Sequence, residues 1–322
     1  MKHFIGIGNA LVDALFQVPD DTILEELNLP KGSMQLIDTE RFRLISQRMA
    51  NVPSRLATGG SACNTMLALA HLGAPVSLVG KISDDANGHF FASSFAQLGV
   101  QTQLLYDTLP TGVASTFITP GGQRTFATYL GAAARLGADD VVPSWFFGSD
   151  CLYLEGYLVQ NHELISRIVR TARDTGLKVC LDLASYNIVE SDRPFFNDLL
   201  SQTDIVFANE EEARAFTGKE PEEAVEAFAA ICPIAVVKTG PQGALACRGG
   251  ERAEAPAEHV PQVVDTTGAG DFFAAGFLYS LAQGKGLAHS LRAGSVLAGA
   301  VIQTVGTSLS AETWADVRRR VG

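Results

Sequence analysis

The stretch on which the reading turns is Asp265-Thr266-Thr267-Gly268-Ala269-Gly270-Asp271, followed at once by Phe272-Phe273-Ala274-Ala275-Gly276-Phe277. Small residues and glycines give way abruptly to an apolar helical run, which predicts a helix N-terminus over residues 268–271. The first amides of a helix lack an intrahelical partner and sit at the positive end of its dipole, so such a turn attracts an anion. Glycine lets the backbone approach a phosphoryl group with no side chain in the way. Asp271, at the same turn, is placed to accept the proton of a hydroxyl that attacks that group. The plainer alternative is that Asp271 only caps the helix.

Outward from this point, short β-rich apolar runs alternate with helical patterns. Strands are expected over residues 4–7, 76–79, 151–154, 179–183, 205–208 and 234–238, with helices such as 63–72, 89–98, 164–175 and 211–216 between them. Near-continuous apolar strands separated by helices imply βαβ units and a mainly parallel sheet covered on both faces, an α/β sandwich. Residues 13–18 and 33–37 break the rhythm, as do 111–119 and 124–129, which flank Pro120-Gly121-Gly122-Gln123, a hairpin signal. These segments predict a small β-sheet lid on one domain spanning 1–322; ordinary edge strands are the alternative. There is no internal repeat, low-complexity tract or long linker.

Lys plus Arg is 24 and Asp plus Glu is 35, a net charge of −11. That balance argues against nucleic-acid or anionic-membrane partners, and any phosphate must be held by local features. The five cysteines (63, 151, 180, 232 and 247) are scattered without a Cys-x-x-Cys, and the six histidines show no metal-ligand spacing. Reduced core thiols and a cytoplasmic location are expected, and a zinc enzyme is not. The first sixteen residues carry Asn9 and Asp13 where a signal-peptide core would be uninterrupted, and no run reaches the ~18 apolar residues of a membrane span.

Asp265–Asp271 closely resembles the second signature of the ribokinase (PfkB) family of carbohydrate and nucleoside kinases. Gly59-Gly60-Ser61-Ala62-Cys63-Asn64-Thr65 resembles the family's first signature, Asn209-Glu210-Glu211-Glu212 its Asn-x-x-Glu, and Lys238-Thr239-Gly240-Pro241-Gln242-Gly243-Ala244 its nucleotide loop. The four occur in the family's order and, with the opening Gly6–Asp13, cover nearly the whole chain. The resemblance implies a ribokinase-like three-layer α/β/α sandwich and transfer of the γ-phosphoryl group of ATP to a sugar hydroxyl. Asp271 resembles the family's catalytic base, with Gly268, Ala269 and Gly270 as the anion hole. Asp13 is similar to the carboxylate that holds sugar hydroxyls, with Asn9, Gly60, Ser61 and Asn64 around the same sugar. Asn209 and Glu212 resemble the pair that positions Mg2+ through water, and Thr239, Gly240 and Gly243 part of the ATP loop. Arg124 is similar in position to a lid arginine that reaches the active site. Asp265 and Thr267 match the start of the family's monovalent-cation (K+) site.

Within the family the likeness is closest to adenosine kinases, through Gly6–Asp13, Leu29-Pro30-Lys31-Gly32 and Arg292-Ala293-Gly294. The expected small-molecule substrate is therefore adenosine or a related nucleoside, with ribose, fructose or another carbohydrate as the alternative. Tyr157 and Tyr186 are candidates to line a slot for a purine. Asp182 stands where adenosine kinases carry a neutral residue. The resemblance is compatible with a monomer or a homodimer. Singly, Asn209 to Glu212 also reads as a capped helix start, and Lys238 as cover for a strand end.

Rival classes fit less well. Gly6-Ile7-Gly8 begins a dinucleotide fingerprint, but Leu11 occupies the third glycine's place, and there is no Gly-x-x-x-x-Gly-Lys-Ser/Thr phosphate loop. A non-catalytic nucleoside or sugar sensor would have lost the base or the anion hole, and this sequence keeps both.

Overall fold

Apolar side chains on alternate faces of short strands set the centre of this fold. The protein is described by a computed structural model over residues 2–120 and 123–322. Its strands are β1 (Phe4–Ile7), β2 (Leu11–Gln17), β3 (Met34–Leu36), β4 (Ser54–Gly59), β5 (Val76–Ser83), β6 (Gln101–Asp107) and β7 (Gly112–Ile118). There follow β8 (Arg124–Tyr129), β9 (Cys151–Glu155), β10 (Lys178–Asp182), β11 (Ile205–Asn209), β12 (Ile234–Lys238), β13 (Ala244–Arg248) and β14 (Glu251–Ala255).

The main sheet has the order β14-β13-β12-β11-β10-β9-β1-β5-β6. It is parallel from β12 to β6, and β13 and β14 fold back antiparallel at one edge. Phe4 and Tyr153 enter one core, under helices Ser61–His71, Ala269–Ala282 and Leu287–Val301. Ile5, Ile7, Leu152 and Leu154 enter the other, under helices His162–Asp174, Glu210–Thr217 and Pro221–Ala229. Each fully buried side chain of this size stabilises by ~1.5–3 kcal/mol. Two cores on opposite faces of one sheet make the three-layer α/β/α sandwich that the alternating pattern predicts.

A smaller sheet of order β3-β8-β7-β2-β4 carries its own core around Phe16, Ile45 and Phe117. The hairpin partners β7 and β8 pair antiparallel; Gly121 and Gly122 of the expected turn lie outside the described residues. Asp13, the first residue of the expected strand segment 13–18, lies inside β2, opposite Ala57 and Ala114.

Helices start earlier than apolar periodicity indicates, because polar caps set them. Asp85 accepts the Gly88 amide ahead of helix Ala86–Ala96, and Asn161 accepts the Leu164 amide ahead of His162–Asp174. The chain enters the sheet at β1, adds β5 and β6 on one side, and returns with β9 on the other. The crevice outside the carboxyl ends of β1 and β9 is where such sheets bind ligands.

Candidate active site

At that crevice Glu155, the last residue of β9, is 1% exposed. Its Oε1 accepts the Asn9 backbone N–H at 2.9 Å and the Asn9 side-chain amide; its Oε2 accepts the Ala62 N–H at 2.9 Å. Burial raises the Glu155 carboxyl above its ordinary range against the pull of these three donors. One side chain thus ties the end of β1 to the start of helix Ser61–His71. The approach is close enough to require glycine at position 60: its φ is +95°, and a Cβ there would lie 2.0 Å from the Asn9 carbonyl oxygen.

Helix Ala269–Ala282 starts at the quoted stretch, as expected, with Gly268 in the left-handed region at φ 75°. Asp271 lies in its first turn. The Asp271 Oδ1 accepts the Ser61 hydroxyl at 2.6 Å, and its Oδ2 accepts the Asn64 Nδ2 at 2.9 Å. Ser61 and Asn64 are three apart on one helix and so share a face. Burial pushes the Asp271 carboxyl up to about 7, with Ser61 and Asn64 opposing the shift. The amide of Ala269 is taken by the Thr266 carbonyl at 3.2 Å.

Asp13 is also pushed up to about 7, by burial and then by the charges of Asp271 and Asp265, with Arg124 opposing. Arg124, at the start of β8, crosses to the 265–271 segment: its Nη1 is 2.6 Å from Asp265 Oδ2 and 3.3 Å from Thr267 Oγ1. The same Asp265 carboxylate accepts the Thr267 and Gly306 amides at 2.9 and 2.6 Å. The carboxylate that the resemblance gives to a monovalent cation is therefore already neutralised by a guanidinium. These residues do not fit a K+ ion.

A cavity of about 870 Å3 joins these groups. Its wall includes Asn9, Asp13, Gly60, Ser61 and Asn64 together with Gly268, Gly270, Asp271, Asn209, Glu212 and Tyr157, with Ser61 and Asn64 bonded to Asp271. Tyr186 is 42% exposed and takes no part in the wall. Thr239, Gly240 and Gly243 form the turn between β12 and β13 beside the cavity rather than its wall, and Gly243 (φ 113°) is needed there to let the Ala255 carbonyl pass.

Asn209 and Glu212 form a reciprocal cap. Glu212 Oε2 accepts the Asn209 N–H, its Oε1 accepts the Asn209 Nδ2, and Asn209 Oδ1 accepts the Glu212 N–H, each at 2.8 Å. Burial pushes Glu212 up to about 7. Among the described residues no three His, Cys, Asp or Glu side chains converge as a metal site. Each Glu212 oxygen accepts one bond and keeps a lone pair for a water. The pair fits magnesium held through water, not by direct ligation.

Sequence reasoning missed the part played by Glu155. The available signal is an acid ending the otherwise apolar strand Cys151-Leu152-Tyr153-Leu154-Glu155. It also left Asp182 and Lys238 apart, although they pair at 2.7 Å.

The pfkB family carbohydrate kinase model matches residues 34–314, and the chain belongs to that family. It is similar to a probable sugar kinase from Rhizobium etli (TM-score 0.88, 35% identity, 99% of this chain and 98% of that one). It is equally similar to an adenosine kinase from Sinorhizobium meliloti (TM-score 0.88, 35% identity, 99% of each chain). Among curated proteins, a 5-dehydro-2-deoxygluconokinase from Halalkalibacterium halodurans is 28% identical over 261 residues, 76% of this chain and 79% of that protein. The protein is a phosphotransferase with an alcohol group as acceptor, of the class that acts on sugars and nucleosides. All five cysteines are buried and free, and among the described residues no helix is long and apolar enough to cross a membrane.

Proposed function

We propose that this kinase transfers the γ-phosphoryl group of ATP to the 5'-hydroxyl of a nucleoside, adenosine foremost. One observation carries this reading. Asp13 and Asp271 share their cavity with an apolar bay formed by Leu11, Leu36, Ala114, Leu130, Ala133 and Leu136. A ribose held at Asp13 and Asn9, with its exocyclic hydroxyl toward Asp271, would lay a base against that bay, where burying its faces is favourable. A free sugar would use the same carboxylates and leave the bay uncovered. Similarity to the Sinorhizobium adenosine kinase supports the nucleoside, and the sugar-kinase relatives support the alternative.

In the reaction, the acceptor oxygen bonds to the γ-phosphorus as the bond to the bridging oxygen breaks and ADP leaves with that electron pair. The hydroxyl proton passes to Asp271, whose value near 7 suits a base at neutral pH. Ser61 and Asn64 orient the base. Asn64 Oδ1, buried and without a donor among the described residues, is left for an acceptor hydroxyl. The helix start at Gly268 and Gly270, which line the cavity, neutralises charge on the transferring group, whereas the Ala269 amide is taken by the Thr266 carbonyl and does not serve as expected. Asn209 and Glu212 would hold, through water, a Mg2+ ion bound with the nucleotide, which would supply further charge neutralisation. Thr239, Gly240 and Gly243 flank the nucleotide.

The test is a phosphorylation screen with ATP and Mg2+ over nucleosides and free sugars. Adenosine 5'-phosphate is the expected product of highest kcat/KM. A free sugar used at least as efficiently as every nucleoside would reject the acceptor, and no transfer to any alcohol would reject the whole reading.

A further inference from the structure

Five carboxyl groups line the cavity (Asp13, Glu155, Asp182, Glu212 and Asp271), and among the described residues Lys238 is the one lysine or arginine in its wall. Arg124, which is not in the wall, is committed to Asp265. A triphosphate entering this acidic wall needs a fixed positive group, and Lys238 stands where the transferring end would lie. Lys238 ends β12 and reaches over the end of β11, where Asn209 is its register neighbour, to Asp182 at the end of β10. Its side chain is 14% exposed, and that of Asp182 6%.

Two features separate this pair from mere cover for a strand end. The Lys238 ammonium is so close to the first turn of helix Ala269–Ala282 that a Cβ added at Gly270 would lie 3.1 Å from Nζ. Glycine at 270 therefore makes room for the ammonium as well as for a ligand. The second feature is unused capacity. One ammonium proton goes to Asp182 Oδ2 at 2.7 Å, leaving two of three for oxygens of a ligand. Asp182 is itself fixed, its Oδ1 accepting the Ala184 N–H at 3.0 Å, with Ala184 in the left-handed region at φ 67°. Burial pulls the Lys238 ammonium down, but Asp182 and Glu212 outweigh it and keep the group charged.

We infer that Lys238 is a further catalytic residue, its ammonium binding the phosphoryl group in flight beside Gly270, and that Asp182 is the positioning residue that holds it there. This rests on the reading that the 268–271 turn receives the terminal phosphoryl group. A purely structural ion pair makes a different prediction. Removing one partner leaves a buried unpaired charge, whereas neutralising both removes that defect.

The experiment compares Lys238→Met, Lys238→Arg and the double variant Asp182→Asn/Lys238→Met for melting temperature, kcat, acceptor KM and affinity for ADP and a non-hydrolysable ATP analogue. Lys238→Met should lower kcat by ~10²-fold or more, with acceptor KM changed less than ~3-fold. It should weaken the ATP analogue by ~10-fold or more and leave ADP within ~2-fold, because the contact is to the terminal group alone. Lys238→Arg should recover part of kcat. The double variant should regain the wild-type melting temperature while kcat stays low. Recovery of kcat together with stability in the double variant would overturn the role of Lys238 while wild-type turnover left the kinase reading standing. A wild-type protein that phosphorylates no acceptor would remove that reading, and this inference with it.

Discussion

Replacing Asp271 with asparagine keeps the side chain's size and removes only its ability to take a proton. The surroundings tolerate the swap. Asparagine can turn its carbonyl toward the Asn64 amide, now 2.9 Å from Oδ2, and its amide toward the Ser61 hydroxyl, 2.6 Å from Oδ1, which can accept. The carboxyl is pushed up to about 7 by burial, so the neutral amide also relieves an unfavourable charge above neutral pH. The melting temperature at pH 8 should shift by less than about 3 °C. Turnover should not survive so well. Loss of a positioned general base lowers kcat ~10²–10⁴-fold, or ~2.7–5.4 kcal/mol of barrier. Wild-type kcat/KM should fall as pH drops below about 7, where Asp271 takes up its proton and cannot accept another; in the variant this limb is shallower, keeping only the part that Asp13 and Glu212 contribute. Steady-state kinetics of adenosine phosphorylation from pH 5.5 to 8.5 measure the turnover and the acid limb, thermal denaturation at pH 8 measures the melting temperature, and binding of the ATP analogue is the control. Turnover within about threefold of wild type, or an unchanged acid limb, would refute the assignment.

Three other expectations follow from the same geometry. Asp13→Ala should raise the acceptor KM by ~10–100-fold and leave ATP affinity nearly unchanged, as acceptor-dependence curves will show; an unaltered acceptor KM would place the sugar elsewhere. Because Arg124 neutralises Asp265, exchanging potassium for sodium should change the wild-type rate by less than about twofold, whereas Arg124→Ala should acquire a potassium-dependent melting temperature; a wild-type rate stimulated ~5-fold by potassium would contradict the pairing. Asp13, Glu212 and Asp271 are raised to about 7 from ordinary values near 4. Between those values the folded chain holds protons that the unfolded chain has lost, so stability falls as pH rises from about 4 to about 7. Thermal denaturation should therefore show the ligand-free protein melting higher at pH 5.5 than at pH 8, and the reverse order would undo the account of the buried acids.

Polar edge strands mark the limit of what linear pattern can show about the fold. The central strands announce themselves because both faces are buried, as in Val206-Phe207-Ala208 and Ala235-Val236-Val237. Strands such as β4 (Ser54–Gly59) and β14 (Glu251–Ala255) do not, because they lie at sheet edges and turn polar side chains to water. Asp13 shows the same limit at the site. Its place in a strand of a small second sheet was legible, but only the pairing of β2 with β4 and β7 brings it into one cavity with Asp271.

What the chain's order of residues determined alone is local: helix starts at glycines and caps, strands at apolar runs, and an anion-binding turn ending in a carboxylate. These depend on neighbours a few residues apart, whose propensities and hydrogen bonds are written in consecutive positions. Tertiary structure decided the rest. It alone joined Ser61 to Asp271, Asn9 to Glu155, Arg124 to Asp265 and Asp182 to Lys238, over separations of 210, 146, 141 and 56 residues. Which distant charges meet, and so which acids are raised and which neutralised, is set by strand order and burial, because electrostatic coupling depends on distance through space and exclusion of water, not on position along the chain.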